Sequence, residues 1–316
     1  MQWSVSLWDN WLFIAFVAPI LWALVNLLDV YFIQRVYEYH LDAFIISGIF
    51  QFMPWLLVLF GLVRFQWPEQ GMTVIFALSG GGLFLISYFF YFKALSIIAD
   101  ATLLEILQNL SVPIVPFLAF FLLGEHLLPI NYLGIVLVFL GTMFFLWDKK
   151  IDTKGFLRVF QVMLWAVFFL ALSMIAEGKA YESSGSDFWS IYLLFSAGSA
   201  FIAFLSLIWT GNVRIIDLVS KYFPSFFFME FLSVVATIAS QRAISISPFV
   251  SFVAVIESIM PIFVILFSGL IWITFAFIPL NGGRELLYNM FSKQLSNFGV
   301  KLAALFVTII GIYLVS

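Results

Sequence analysis

The sequence predicts an all-α integral membrane protein with ten transmembrane helices, arranged as two inverted five-helix repeats. Three observations lead to this fold class. The 316 residues are 64% hydrophobic and only 10% charged, with a mean hydropathy of +1.12, whereas soluble domains carry about 25% charged residues. Ten apolar segments approach the length of about 20 residues that crosses a bilayer. The second half of the chain also repeats features of the first.

The ten predicted spans are separated by short linkers that hold most of the charge. The most polar linker runs from Trp147 to Gly155, and it divides the chain into a first repeat of residues 1–150 and a second of residues 151–316. The predicted spans cover residues 11–31, 43–63, 72–92, 101–123, 130–147, 156–176, 188–209, 224–240, 249–273 and 298–315.

Matching residues recur at a nearly constant separation in the two halves. Ala23-Leu24 in the first span is followed 148 residues later by Ala171-Leu172 in the sixth, and Asn109 in the fourth span corresponds to Glu257 in the ninth at the same separation. Because each half contains an odd number of spans, the second half must enter the membrane from the opposite side. The repeat is therefore predicted to be inverted, and binding sites in such proteins lie where the two halves meet.

The spacing of the repeat lengthens near its end. Leu140-Gly141 corresponds to Ile310-Gly311 at a separation of 170 residues, which implies about 22 additional residues between the ninth and tenth spans. We place this inserted segment at about 274–297 and predict an amphipathic helix there, lying in the membrane interface.

Composition and charge exclude several classes of function. The net charge of −3 and the lack of a basic stripe argue against nucleic-acid binding. The chain has no cysteine, which excludes disulfides, thiolate catalysis and cysteine metal sites. Its two histidines, His40 and His126, are isolated in predicted loops, so neither a metal site nor a membrane-embedded enzyme is expected, and no cofactor is implied. No cleaved signal peptide is expected either, because no basic residue precedes Arg35 and the first apolar segment runs on into further membrane.

Several motifs resemble the EamA-like repeat of the drug/metabolite transporter superfamily. They are, in chain order, Lys93-Ala94-Leu95, the region of Pro113, Leu123-Gly124-Glu125, Leu133-Gly134-Ile135 and Leu140-Gly141. The resemblance implies a secondary carrier of small metabolites, with a central cavity between inverted five-helix halves. The chain departs from the family pattern after the ninth span, where no Gly-Glu pair appears and the inserted segment is found instead.

The resemblance and the basic residues disagree about orientation. Family members typically have both termini in the cytoplasm. Three basic residues, Arg64, Lys179 and Arg242, lie on the side shared by the termini, and the other eleven of the fourteen lie on the opposite side. The positive-inside rule would therefore place the termini outside the cytoplasm.

Polar residues in the fourth span form one candidate site. Glu105, Gln108 and Asn109 share a helix face, and Pro113 removes a backbone donor one turn after Asn109. A charge inside hydrocarbon costs about 2.5–3.5 kcal/mol on insertion scales, so Glu105 needs a specific role. A substrate site in a discontinuous helix would provide that role. The alternative is a capping box from Thr102 to Glu105, which would place the carboxyl group near the interface.

Glu257 in the ninth span is the strongest candidate. Ser247-Pro248 is predicted to be the N-cap and first helical position, and about ten residues further on is on the order of 15 Å into the membrane. Glu257 is therefore predicted at mid-membrane, where a carboxyl group that is neutral in a closed site and ionised in a wet one can couple a proton to transport. The alternative is a neutral acid that hydrogen-bonds to a neighbouring helix.

The remaining candidates are secondary. We interpret Glu230 as a structural hydrogen-bonding residue, and Gly80-Gly81-Gly82 as a close helix-packing segment rather than a phosphate loop. Asn26 and Asp29 lie toward the end of the first span, and we place Asp29, like Glu177, at the interface. Lys93 and Arg242 flank two span starts; they could pair with an anionic substrate or with Glu105, although snorkelling to the headgroups is the preferred interpretation. Tyr88 could line a cavity.

These observations predict a secondary transporter that moves a small polar metabolite across the cell membrane (plasma or inner membrane) by alternating access, with proton coupling as a hypothesis. Its expected partners are a small-molecule solute and the lipid bilayer, and it would function as a monomer or a homodimer. Two alternatives stay open. One is a lipid or lipid-carrier flippase of the same fold, and the other is a non-transporting membrane sensor or assembly subunit.

Overall fold

The computed structural model describes residues 7–144, 153–182, 187–276 and 298–315. These residues form α-helices, one short 3-10 helix at Leu7–Asp9, and no strand. The helices are α1 Trp11–Arg35, α2 His40–Phe50, α3 Trp55–Leu59, α4 Gly71–Ile97, α5 Ala101–Gln108, α6 Ser111–Leu122, α7 Pro129–Phe144, α8 Thr153–Glu182, α9 Phe188–Thr210, α10 Arg214–Ile246, α11 Val250–Glu257, α12 Met260–Ala276 and α13 Phe298–Val315.

Eight helical stretches in this part of the chain are long and apolar enough to cross a membrane, which confirms the prediction of an all-α membrane protein. At the positions of the predicted fifth and tenth spans lie the shorter apolar helices α7 and α13. Most of the predicted interfacial helix, from residue 277 to 297, falls outside the described residues. The eight long stretches are Trp11–Arg35, His40–Leu59, Gly71–Ile97, Ala101–Leu122, Gly155–Glu182, Phe188–Thr210, Arg214–Ile246 and Val250–Thr274.

Some helices extend well beyond the predicted apolar segments. The predicted eighth span starts at residue 224, but α10 begins at Arg214 and bends at Tyr222, just before Pro224. Its first turns carry Asp217 and Lys221, which lower the local hydropathy without preventing helix formation. Helix length is therefore set by backbone hydrogen bonding, whereas the hydropathy pattern reports only the part that is apolar.

Two of the long stretches are interrupted near their middle. Residues 109–110 separate α5 from α6, and residues 258–259 separate α11 from α12. Pro113 and Pro261 follow these interruptions. A proline has no N–H to donate to the carbonyl four residues earlier, and its ring clashes with that carbonyl, so the helix breaks one turn before it.

The two interrupted stretches cross each other in antiparallel directions. α5 packs against α12, and α6 packs against α11, so the first half of each stretch contacts the second half of the other. At the crossing point Asn109 Nδ2 donates a hydrogen bond to the backbone oxygen of Ser258 (2.8 Å). Two helix interruptions, with their incompletely bonded backbone groups, therefore lie side by side in the protein interior.

Helices α4 and α9 approach each other closely at two glycines. A Cβ atom at Gly81 would lie 1.8 Å from the backbone oxygen of Phe195, and one at Gly198 would lie 2.1 Å from a backbone oxygen of α4. Ser199 Oγ donates to the Gly81 oxygen (2.7 Å) across this contact. The interpretation of the triple glycine as a close helix-packing segment is confirmed, since only glycine lets the two backbones come this near.

Candidate functional site

A narrow cavity of about 50 Å³ surrounds the crossing of the two interrupted stretches. It has room for only a few water molecules, each of which needs about 10–15 Å³. Side chains from four helices and from the two interrupted stretches line it. The helices are α1, α4, α8 and α10, and the stretches are α5–α6 and α11–α12. The site therefore lies where helices from both halves of the chain converge.

The structure brings most of the predicted site residues together around this cavity. The four leading candidates all line it, as do two of the secondary ones. Four other secondary candidates do not line it. The residues at the cavity are Glu257, Glu105, Asn109, Gln108, Asn26 and Tyr88. Those away from it are Glu230, Asp29, Lys93 and Arg242.

Glu105 links three helices at the cavity wall. Asn26 Nδ2 of α1 donates to Glu105 Oε1 (2.8 Å) and also contacts the sulfur of Met260 on α12 (3.1 Å). The capping-box alternative for Glu105 is wrong, because Asp100 is the N-cap of α5 and accepts a hydrogen bond from the backbone N–H of Leu103 (3.0 Å). Glu105 lies in the second turn of α5 and is only 1% exposed.

Glu257 is the last residue of α11, directly before the helix interruption. Ser240 of α10 and Glu177 of α8 are its polar neighbours. Among the described residues, its Oε1 atom is buried without a hydrogen-bond partner. A buried carboxylate oxygen without a partner is costly in a protein interior, so Glu257 presents an acceptor that a bound group in the cavity would satisfy.

Glu177 is a cavity residue that sequence reasoning missed. It was expected at the membrane interface together with Asp29, but both side chains are buried, with exposed fractions of 3% and 1%. α8 continues to Glu182, so Glu177 is inside the helix rather than at its end. Ser173 Oγ donates to Glu177 Oε1 (2.5 Å) and so orients the carboxyl group. The repeat relates Glu177 to Asp29 at a separation of 148 residues, but Asp29 does not line the cavity, so the repeat alone did not indicate this position.

Glu230 has the structural contact expected of it. Ser47 Oγ of α2 donates to Glu230 Oε1 (2.5 Å) and joins α2 to α10. Arg242 forms an ion pair with Asp9 (3.1 Å) and does not reach Glu105. Lys93 is half-buried near His40. Neither basic side chain contacts the cavity, so pairing of Lys93 or Arg242 with a solute held there is not supported.

The N-terminus of α11 is capped by a residue from the other half of the chain. The predicted start at Ser247-Pro248 is wrong: α11 begins at Val250, and its N-cap residue makes no side-chain hydrogen bond. Glu125, in the loop after α6, supplies the missing cap. Its Oε1 accepts from the Val250 N–H (2.6 Å), and its Oε2 accepts from the Ser251 N–H (3.3 Å) and from the Ser251 hydroxyl. A carboxylate at this position also interacts favourably with the helix dipole.

This cap responds to pH in a defined direction. Burial raises the pKa of the Glu125 carboxyl group, while the hydrogen bonds from Ser251 and Val250 act in the opposite direction. Because the pKa is higher in the capped arrangement than in water, that arrangement binds a proton more tightly. The capped arrangement therefore gains stability as pH falls through the raised pKa toward the ordinary pKa of a carboxyl group, and it loses that stability as pH rises back through the raised value.

We expect Glu125→Ala to lower the free energy of unfolding by about 1–3 kcal/mol, since it leaves buried donors at the start of α11 without an acceptor. Thermal unfolding of the purified protein in detergent measures this loss. Glu69→Ala is the control, because Glu69 is an exposed carboxylate in the loop between α3 and α4 and its removal should leave the melting temperature unchanged. Equal melting temperatures for the two variants would contradict a capping role for Glu125.

Comparison with known proteins supports the fold and does not identify the family. No protein-family model and no curated protein matches this sequence. Chains of known structure do match it. One crystal structure superposes with a TM-score of 0.59 over 97% of this chain and 96% of the other, at 16% sequence identity. The likeness shows a shared fold over nearly the whole of both chains.

Proposed function

We propose that this protein is a secondary carrier that moves a small polar solute across the cell membrane by alternating access, as a member of the EamA-like transporters. The observation that carries the proposal is the crossing of two interrupted helices at a buried polar cavity. Discontinuous helices at the junction of inverted repeats are the usual location of substrate sites in such carriers. The solute would lie between Glu105, Asn109 and Glu257, and the two halves would rock around it.

The helix contacts support an inverted repeat of residues 1–150 and 151–316. Exchanging the halves replaces α1 by α8, α4 by α10, α5 by α11 and α6 by α12. Under this exchange the contact of α4 with α8 becomes that of α10 with α1, and the contact of α5 with α12 becomes that of α11 with α6; all four contacts are present. A pseudo-twofold axis through the crossing of the interrupted stretches would produce this pattern.

The shorter helices α7 and α13 would complete a count of ten spans. They pack against each other, and a Cβ atom at Gly134 would lie 2.6 Å from the backbone oxygen of Gly311. α7 has 16 residues and α13 has 18 in the described part of the chain, close to the lower limit of about 17 residues for a spanning helix. Exchanging the two halves turns α7 into α13 and α13 into α7. The contact between them is therefore mapped onto itself, as an inverted repeat requires.

Cysteine accessibility tests the carrier mechanism directly, because the natural chain contains no cysteine. Ser87→Cys places a single thiol at the cavity wall on α4. We expect a membrane-impermeant thiol reagent to modify this cysteine both in right-side-out and in inside-out vesicles. The same vesicles should hold an imposed membrane potential, because the cavity of a carrier is never open to both sides at once.

Ser196→Cys is the matched control, since Ser196 is fully buried on α9 and does not line the cavity. It should stay unreactive from both sides. Modification of the Ser87→Cys protein from one side alone would contradict alternating access. Collapse of the membrane potential would indicate a pore instead.

A further inference from the structure

We propose that the solute bound in the central cavity is a small organic cation with an ammonium head group. This inference rests on the proposed carrier function and names the chemical class of its solute. Three properties of the side chains that line the cavity support it: their charge, their aromatic rings, and their hydrogen-bonding atoms that have no partner.

The ionisable groups of the cavity wall are all acidic. Glu105, Glu177 and Glu257 line the cavity, and none of its described lining residues is lysine, arginine or histidine. Among the described basic residues, Arg214 and Arg242 form ion pairs with carboxylates elsewhere in the protein. An anionic solute would therefore meet three carboxyl groups and no counter-charge inside the protein, where like charges repel more strongly than in bulk water. A cation would be attracted by the same groups.

Aromatic rings supply the second element of a cation site. Trp22, Phe84, Tyr88 and Tyr91 all line the cavity. The ring centroids of Phe84 and Tyr88 are 4.8 Å apart and those of Tyr88 and Tyr91 are 6.0 Å apart, with planes inclined by 44° and 47°. Ammonium groups bind to the faces of aromatic rings by cation–π attraction, so a wall that contains four such side chains favours a cation.

Unused polar atoms on the same wall indicate a ligand independently of the charge. Trp22 is about nine-tenths buried, and its Nε1 donor has no hydrogen-bond partner among the described residues. Glu257 Oε1 is an acceptor without a partner. The Tyr91 hydroxyl lies beside the Glu105 carboxyl group without a hydrogen bond of normal geometry. A cation that also carries a hydroxyl or carbonyl oxygen would satisfy both the carboxylate and the aromatic donors.

The size of the cavity limits the solute and links its binding to movement. A cavity with room for only a few water molecules must widen to admit an organic cation. The helices around the crossing would separate to admit the cation, and the carboxylates would close on it afterwards. Small cations are favoured over large ones, because each further group requires more of the packed interior to open.

Three compounds of nearly equal shape and different charge test the proposal. Choline, 3,3-dimethylbutan-1-ol and 3,3-dimethylbutyrate have nearly the same shape and carry a positive, zero and negative charge. We expect choline, or its primary-amine counterpart ethanolamine, to raise the melting temperature of the purified protein at millimolar concentration, with at least tenfold tighter binding than the alcohol. The butyrate should have no effect. The stabilisation should weaken in Glu257→Gln and in Glu105→Gln.

Glu230→Gln is the control variant, because Glu230 is a carboxyl group as buried as that of Glu105 and does not line the cavity. It should keep the preference for the cation. Equal binding of the alcohol, preference for the butyrate, or failure of both cations to stabilise the protein would each overturn the proposal. The carrier function is judged separately by accessibility of the Ser87→Cys protein, so loss of the charge preference with two-sided accessibility intact would remove only the assignment of solute.

Discussion

A Gly81→Ala variant is expected to lose about 3 kcal/mol of stability, because the added methyl group has no space at the contact of α4 and α9. The new Cβ atom would lie 1.8 Å from the backbone oxygen of Phe195 and 2.7 Å from its carbonyl carbon. Backbone atoms cannot move aside as a flexible side chain can, so the two helices must separate. That separation also lengthens the hydrogen bond from Ser199 Oγ to the Gly81 oxygen.

Thermal unfolding of purified protein in detergent measures the effect. A loss of this size corresponds to a melting temperature lower by about 5 °C for a chain of this length. Gly82→Ala is a closely matched control, because its Cβ atom would make ordinary van der Waals contacts, with the Ile202 side chain at 3.4 Å and the Gly198 backbone oxygen at 3.9 Å. We expect that variant to melt close to the unchanged protein. Similar melting temperatures for the two variants would show that α4 and α9 are not packed as described.

Glu257→Gln is expected to abolish gradient-driven accumulation of solute while leaving exchange and binding partly intact. The glutamine keeps the size and the hydrogen-bonding oxygen of the carboxyl group but cannot release or take up a proton. If Glu257 couples a proton to transport, the variant can still bring solute to either side but cannot use a proton gradient to concentrate it. Proteoliposomes with an imposed pH gradient measure accumulation, and the same vesicles preloaded with solute measure exchange; labelled choline is the probe in both.

Glu230→Gln serves again as the control, since it removes a buried carboxyl group from outside the cavity wall and should retain gradient-driven accumulation. Unchanged gradient dependence in Glu257→Gln would eliminate proton coupling through this residue. Loss of exchange together with accumulation would instead assign Glu257 to solute binding alone. Comparison of the two assays thus separates coupling from recognition.

Several features of the site were predictable from local properties of the chain. Hydropathy located the long apolar helices, because each one must be apolar along its own length to lie in lipid. Pro113 located the interruption of the fourth span, because a missing backbone donor acts on the carbonyl one turn earlier whatever surrounds it. In the structure, Pro261 follows the corresponding interruption of the ninth span. Both interruptions and their neighbours Asn109 and Glu257 are at the cavity, as the repeat indicated. Asn109 bonds to the carbonyl of Ser258, one residue beyond its repeat partner.

Other features depended on contacts between distant segments. The position of Glu177 in the cavity wall follows from the rotation of α8 against α4 and α10, which a span prediction does not contain. The start of α11 at Val250 depends on Glu125, which is 125 residues earlier in the chain.

The sequence by itself determined an all-α membrane protein with an apolar stretch weakened at Pro113 and acidic groups inside its apolar spans, because hydropathy and proline geometry are properties of the local chain. Only the tertiary structure decided which acidic groups share a cavity, which carboxylate caps which helix, and that no basic residue among those described enters the site. These depend on how helices are rotated and paired, and that choice is made by packing between residues far apart in sequence.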